Sequence, residues 1–220
     1  MGRRPHRTTL ERALRMMDAD MPGPEIESAN SNQRASADLD IAANRNARKW
    51  SSGELAGRVL WALARPVFRY SPRIFWGFRR GCLRLFGAHI GPGVHIHPSV
   101  SIAIPWNLRI EAMASVGDNV RLYSLGLISI GASATVSQAA HLCAGTHDYR
   151  RADFPLLKAP INVGEGAWVC ADAFVGPGVT VGDYAIVGAR AVIVSDVPAW
   201  TIVSGNPARP TGPRPPIVAS

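Results

Sequence analysis

The side chains that could do acid–base, nucleophilic or metal chemistry crowd into one short stretch, HLCAGTHD, which ends at Asp148. Histidine is the residue type suited to proton transfer at neutral pH, so His147 could serve as a general base. Cys143, four residues earlier, could act as a nucleophile if its thiol lost its proton. His141 stands six residues before His147, so a metal ion held between histidines is a third alternative.

The elements that must hold this stretch follow a six-residue period, which is the strongest signal in the sequence. From Val163 the chain reads VGEGAW, VCADAF, VGPGVT, VGDYAI, VGARAV and IVSDVP, and every block begins with Val or Ile and has Ala or Val fifth. Similar blocks begin at Ile90 and Ile130, with two-residue slips near 108–110 and 128–130. Such a period is typical of a stacked β-helix and of neither an α-helix nor an alternating strand. We therefore predict a parallel β-helix over residues 90–210, in which these first-position side chains point inward: Val163, Val169, Val175, Val181, Val187 and Ile193.

Composition and charge exclude several classes of protein. The 220 residues are 47% hydrophobic and carry a net charge of +8, which fits one globular domain. Residues 51–90 hold +6 of that charge and residues 91–220 are neutral, which argues against nucleic acid as the main partner. No apolar run reaches the roughly 18 residues of a spanning helix. The start of the chain does not resemble a secretory signal, and the three cysteines cannot build a disulfide framework. We expect a cytoplasmic protein with reduced thiols.

The rest of the chain divides by composition. Residues 1–54 are predicted to be a poorly ordered tail, and residues 211–220 a Pro-rich tail. Residues 55–89 interleave arginines with Trp, Phe and Leu, and Pro66 and Pro72 should divide them into two or three short helices. This basic amphipathic segment has two interpretations: a peripheral contact with an anionic membrane, or a helical cap over the end of the β-helix.

The sequence resembles the hexapeptide-repeat O-acetyltransferases of the colanic-acid biosynthesis type over residues 58–210. The matching stretches are SPRIFWGFRRGCLRLFGAHIG, IPWNLRI, VRLYSLGLISIG, LCAGTHDY, PINVGEGAWV, PGVTVG and GNPAR. The resemblance implies an all-β fold, a left-handed parallel β-helix with a short helical N-terminal segment. It also implies acetyl transfer from acetyl-CoA to a sugar hydroxyl without a metal, in a homotrimer that binds CoA between adjacent subunits.

The same resemblance assigns roles to single residues. His147 corresponds to the catalytic base, Trp168 to a tryptophan beside the pantetheine arm, and Ala171 and Ala189 to positions where backbone groups meet the cofactor. Asn206 and Arg209 match the end of the β-helix, where Arg209, assisted by Arg190, could bind CoA phosphates.

The acceptor side is less well defined by the resemblance. Galactoside-type relatives present an asparagine to the acceptor where this chain has LYSLG, so Ser124 is the candidate for an acceptor contact. Asp148, at the start of an inserted loop over residues 148–162, is a candidate on the acceptor side. It could also orient the imidazole, or it could simply form a turn. The acceptor could be a soluble sugar or a lipid-linked oligosaccharide.

Three alternative functions stay open on the sequence. An acyl-cysteine route would use Cys143. Some hexapeptide proteins hold zinc with three histidines and hydrate carbon dioxide, although two of theirs stand five residues apart. A noncatalytic hexapeptide scaffold is the third, and LCAGTHDY together with GNPAR is the feature that opposes it.

Overall fold

The fold consists of short parallel strands stacked into three sheets, as seen in a computed structural model that describes residues 39–218. Sheet A contains His89–Ile90 (β1), Leu108–Ile110 (β4), Ile128–Ile130 (β7), Ile161–Val163 (β12) and Thr180–Val181 (β15). Sheet B contains His95–Ile96 (β2), Ser115–Val116 (β5), Thr135–Val136 (β8), Trp168–Val169 (β13), Ile186–Val187 (β16), Thr201–Gly205 (β18) and Ala208–Pro213 (β19). Sheet C contains Ser101–Ile102 (β3), Arg121–Tyr123 (β6), His141–Cys143 (β9), Phe174–Val175 (β14) and Val192–Ile193 (β17).

The core is a column of aliphatic side chains, one from each strand of each coil. In sheet A the register pairs Ile90 with Ile110, then Ile110 with Ile130, and so on to Val163 and Val181. The predicted inward residues are each at most 2% exposed: Val163, Val169, Val175, Val181, Val187 and Ile193. The small residues at the fifth positions are buried beside them. The parallel β-helix and its core are therefore confirmed.

The two slips in the repeat are corners with extra residues. A short 3₁₀ helix, Pro105–Asn107, lies between β3 and β4, and residues 124–127 lie between β6 and β7. Each corner widens one coil by two residues while the aliphatic register continues through it. The slips therefore leave the core unbroken.

From residue 39 onward, three helices precede the first coil: Ile41–Asn46 (α1), Ser52–Arg69 (α2) and Trp76–Leu85 (α3). Helix α2 begins at a capping box, in which Ser51 Oγ accepts from the Glu54 N–H and Glu54 Oε2 accepts from the Ser51 N–H. The prediction of a poorly ordered tail to residue 54 is thus wrong for its described part, and residues 1–38 lie outside the described residues. Pro66 does not divide the segment either, because α2 runs through it.

The helices close the open end of the β-helix. Strand N–H groups of the first coil donate to the second coil, so first-coil carbonyls have no coil before them to bind. Side chains from α2 and α3 donate to these carbonyls instead. The pairs are Arg84 with Ile90, Arg80 with Val94, Arg79 with Ile96, Arg69 with Ser99, and Trp61 with Ile102. The cap interpretation of the basic segment therefore holds for Arg79, Arg80 and Arg84.

At the other end, the predicted Pro-rich tail is wrong for residues 211–213. Strand β19 pairs antiparallel with β18 and extends sheet B as a hairpin. Arg214 then donates to the carbonyls of Gly166 and Tyr184, which fastens the chain to two earlier coils. Residues 219–220 lie outside the described residues. Among residues 39–218, the helices are too short or too polar to cross a membrane.

The described chain forms two compact units. The larger consists of residues 50–146 and 158–218, and holds all three sheets. The smaller consists of residues 39–49 and His147–Leu157, and holds α1 and all of the inserted hairpin except Thr146. The hairpin strands are Thr146–His147 (β10) and Leu156–Leu157 (β11).

Candidate active site

The imidazole of His147 is oriented by Phe154, through both its backbone carbonyl and its ring. Its Nδ1 lies 2.8 Å from the carbonyl oxygen of Phe154, and its ring stacks on the Phe154 ring with centroids 4.8 Å apart. Because a carbonyl oxygen only accepts, Nδ1 of the neutral imidazole carries the hydrogen and donates it. The lone pair is then on Nε2, so the ring is in the tautomer that a general base needs.

The Phe154 carbonyl is itself positioned by a second contact. The side-chain amide of Asn44 donates to the carbonyls of both Asp153 and Phe154. Phe154 has φ of 44°, a left-handed conformation that is unfavourable for a bulky residue. The amide therefore supports a strained turn whose carbonyl orients His147.

Helix α1 brings Asn44 to this turn. Asp40 caps the helix, since its Oδ1 accepts from the Ala43 N–H at 2.8 Å. The N–H of Asp40 donates to the carbonyl of Ala152, also at 2.8 Å. Lys49 Nζ donates to Asn44 Oδ1 at 2.7 Å, which leaves the amide nitrogen directed at the two carbonyls. Asn44 of α1 and its N-cap residue Asp40 thus both bind the hairpin.

Asp148 forms a turn, which is one of the two roles that the sequence left open, and its carboxylate is bound by Arg150 rather than by the imidazole. Its Oδ1 accepts from the backbone N–H and the Nε of Arg150, both at 3.1 Å. The hydrogen bond from Arg150 lowers the pKa of the Asp148 carboxyl. The carboxylate stabilises the turn after His147, while a carbonyl does the orienting.

Ser124 is also misassigned by the sequence. It is fully buried, and its hydroxyl donates to the Ile104 carbonyl and accepts from the Ile104 N–H, at 2.8 and 2.9 Å. It thus completes the backbone pairing of two coils where a wide corner interrupts the ladder. A side chain with both its bonds satisfied inside the core cannot reach an acceptor sugar.

The environment of Cys143 opposes an acyl-cysteine route. Its Sγ donates to the Gly145 carbonyl at 3.4 Å, and burial raises the pKa of the thiol. A raised pKa reduces the fraction of thiolate, which is the nucleophilic form.

The third chemistry, metal binding, requires a cluster of ligands. The ring of His141 packs edge-on against Phe174, and burial lowers the pKa of the His141 imidazole. Within residues 39–218, no group of three or more His, Cys, Asp or Glu side chains is arranged to hold a metal ion.

The predicted cofactor residues lie along one edge of the larger unit. Trp168 is on β13 of sheet B, 45% exposed, with its Nε1 donating to Ser137 Oγ at 2.8 Å. Ala171 and Ala189 occupy equivalent corners of successive coils between sheets B and C. The Ala171 carbonyl accepts from the N–H of Arg190, and the Arg190 side chain is exposed beside Asp172, at 3.6 Å.

Asn206 and Arg209 continue the same edge. Asn206 is exposed in the turn of the hairpin formed by β18 and β19, and Arg209 is exposed opposite Ser204. The hairpin extends sheet B, to which Trp168 belongs. All six predicted cofactor residues therefore line successive levels of one surface.

An open groove of about 360 Å³ lies on sheet B in the earlier coils. Trp76 stacks on His95 at one side of it, with ring centroids 4.4 Å apart. Ser137, which binds the indole of Trp168, belongs to its lining. The cofactor surface and this groove therefore adjoin on one face.

Both the sequence and the fold are similar to those of known proteins. Residues 160–195 match the family model of the bacterial transferase hexapeptide, six repeats. The chain is 46% identical to the colanic acid biosynthesis acetyltransferase WcaF of Escherichia coli (strain K12) over 151 residues, which cover 69% of this chain and 83% of that protein. The chain belongs to the hexapeptide-repeat acetyltransferases.

More distant members of these acetyltransferases share the fold. The galactoside O-acetyltransferase of Escherichia coli (strain K12) is 28% identical over 119 residues, 53% of each chain. A Vibrio cholerae hexapeptide-repeat acetyltransferase complexed with acetyl coenzyme A matches with a TM-score of 0.70 at 23% identity, over 77% of this chain and 93% of that one. A galactoside acetyltransferase in complex with coenzyme A gives a TM-score of 0.67 at 20% identity, over 79% and 88%. The predicted left-handed β-helix is thereby confirmed.

Asn44 is the residue of this acetyltransferase that sequence reasoning missed. It precedes residues 58–210, over which the chain resembles the family. The one signal was local: Asp40 followed by IAANRN is a capped helix start. A helix of six residues carries too little periodicity to be distinguished from a tail.

Proposed function

We propose that this acetyltransferase moves the acetyl group of acetyl-CoA to a hydroxyl of a sugar or polysaccharide precursor, with His147 as general base in a direct transfer. The observation that supports it is the hydrogen bond between His147 Nδ1 and the Phe154 carbonyl, because it leaves Nε2 as the proton acceptor.

The step balances without a covalent enzyme intermediate. Nε2 of His147 accepts the proton of the sugar hydroxyl as its oxygen attacks the thioester carbonyl carbon. The tetrahedral intermediate collapses, the carbon–sulfur bond breaks, and the imidazolium returns the proton to the leaving CoA sulfur. The products are the acetyl ester and free CoA. Positioning of the two substrates supplies much of the rate in such a transfer.

The exposed edge around Trp168 is proposed to bind the cofactor. Trp168 packs beside the pantetheine arm, and Ala171 and Ala189 let the arm lie close to the backbone. Arg190, Asn206 and Arg209 contact the distal part of CoA, where arginines pair with phosphates. The single chain presents this edge as an open surface, which fits a homotrimer in which the neighbouring subunit completes the site. Sedimentation should give three times the 23.6 kDa of the chain.

The acceptor proposed is a sugar hydroxyl on a soluble or lipid-linked oligosaccharide. The names of the relatives support it, since one acts in colanic acid biosynthesis and another on galactosides. A lipid-linked acceptor would place the enzyme on the cytoplasmic side of the inner membrane as a peripheral protein.

The test is a screen of CoA release from acetyl-CoA against sugar acceptors. The assay with the active acceptor is then repeated on the variants His147→Ala and His147→Asn. We expect their turnover to fall by about 10²–10⁴-fold. Acetyl-CoA binding, measured by calorimetry, should survive because the base acts on the acceptor hydroxyl. His89→Ala is the matched control, since His89 is an exposed histidine beside Glu111. Turnover of the His147 variants near that of the control would refute the assignment.

A further inference from the structure

We infer that the outer face of α2 and the turn after it dock on the surface of an anionic lipid bilayer. The residues of this outer face are Val59, Leu63, Val67, Tyr70 and Ile74. The inference deepens the peripheral location proposed above, but it rests on different residues from those of acetyl transfer.

Helix α2 has two apolar faces, and the β-helix uses only one. The inner face buries Trp61 and Phe68, which are 3% and 1% exposed and pack edge-on against each other. On the outer face, Val59, Leu63 and Val67 follow at intervals of four residues, so they form one stripe along the helix. They are 60, 72 and 63% exposed. Folding of the larger unit therefore leaves this stripe unburied.

The stripe continues beyond the end of the helix. Tyr70 and Ile74 are 84% and 77% exposed, and Phe75 and Phe78 are about half exposed. Within residues 39–218, twenty large hydrophobic residues are exposed, and ten of them lie between Leu55 and Leu85. Exposed apolar surface so concentrated marks an interaction site.

The charge beside this face selects the partner. Arg65 and Arg69 are exposed on α2, and Arg73 follows with its side chain 67% exposed, 3.2 Å from Asp118. The stretch 51–90 carries a net charge of +6. A second copy docked through the same face would oppose two such charges, whereas an anionic surface complements them.

The structure also corrects which arginines could touch lipid. Arg79, Arg80 and Arg84 look from sequence like part of the basic face, but all three donate to backbone carbonyls, and Arg79 is fully buried. Replacing them would open the end of the β-helix. Of the arginines before α3, Arg58 lies over the Trp50 ring and Arg69 donates to the Ser99 carbonyl. Direct lipid contacts therefore fall to Arg65 and Arg73.

The test is co-sedimentation of the full chain with vesicles of phosphatidylcholine alone and of phosphatidylcholine with phosphatidylglycerol. We expect binding only to the anionic vesicles, with release by added salt. Leu63→Gln with Val67→Gln, and separately Arg65→Gln with Arg73→Gln, should each weaken partition by about tenfold or more. Ile217→Gln with Val218→Gln is the matched control, since those residues are also exposed, at 57% and 89%, and do not belong to α2.

Two further measurements separate the outcomes. Thermal unfolding should be unchanged in the Gln variants, and their acetyl transfer to a soluble acceptor should equal that of the unaltered chain. Equal binding to both kinds of vesicle, or to neither, would overturn the inference. A change of oligomeric state in the Leu63 and Val67 variant, without vesicle binding by the original, would assign the face to a second copy instead. A chain that binds vesicles but transfers no acetyl group would refute the proposed function and leave this inference standing.

Discussion

Removal of the Asn44 amide should slow acetyl transfer, although Asn44 lies far from His147 in sequence. The amide donates to the same Phe154 carbonyl that accepts from His147 Nδ1. In Asn44→Ala the carbonyls of Asp153 and Phe154 each lose a donor, and the strained Phe154 turn loses its support. One hydrogen bond contributes a net 0.5–1.5 kcal/mol, about 2- to 12-fold in rate if it all appears in the barrier.

The effect should be confined to the step that uses the imidazole. We expect kcat to fall while the KM for acetyl-CoA stays the same, because the amide acts on the orientation of His147. Asn44→Asp should lower kcat more than Asn44→Ala does, because it directs a carboxylate at two carbonyl oxygens. Asn46→Ala is the matched control, as an exposed asparagine of the same helix.

A double-mutant cycle decides whether Asn44 acts through His147. In the His147→Asn background, Asn44→Ala should lower kcat almost no further, because the imidazole that Asn44 positions is absent. The assay is steady-state CoA release with thermal unfolding recorded for each variant. An equal loss in both backgrounds, or wild-type kcat in Asn44→Ala, would refute the reasoning.

Three further predictions concern the β-helix. Val175→Ala should lower the free energy of unfolding by about 1–3 kcal/mol in a denaturant titration, since it opens a cavity between coils, whereas the outward Val192→Ala should change it little. Cys143→Ala should keep most of the activity, and complete loss would favour an acyl-cysteine route. Arg209→Ala should raise the KM for acetyl-CoA, more at low than at high salt, while Arg121→Ala should not; an unchanged KM would remove Arg209 from the cofactor site.

The sequence predicts the β-helix and its core because one period determines both. Any aliphatic at the first position of a block, such as Val175, must point inward if the neighbouring blocks keep phase. Ser124 illustrates where this reasoning fails, since it stands in a corner that breaks the phase. The sequence around such a serine does not distinguish an exposed side chain from a buried one. The two hydrogen bonds of Ser124 to Ile104 depend on the neighbouring coil.

The basic segment shows a second limit of sequence reasoning. Arg65 and Arg79 both stand close to Trp and Phe in sequence, yet Arg65 is exposed and Arg79 is fully buried. The difference comes from the first coil, whose carbonyls lack a preceding coil and therefore attract donors. These carbonyls need donors because the stack of coils ends there, and the residues close to an arginine in sequence do not show where the stack ends.

The position of His147 outside the regular coils has a physical reason. In the coils, strand carbonyls accept N–H groups from the neighbouring coil, as the Ala173 carbonyl does from His141. The backbone carbonyls near an imidazole on such a strand already accept hydrogen bonds from the neighbouring coil. The hairpin of β10 and β11 leaves this ladder, and the Phe154 carbonyl becomes available to bind Nδ1. The break in the repeat is therefore what allows the histidine to be held in one tautomer.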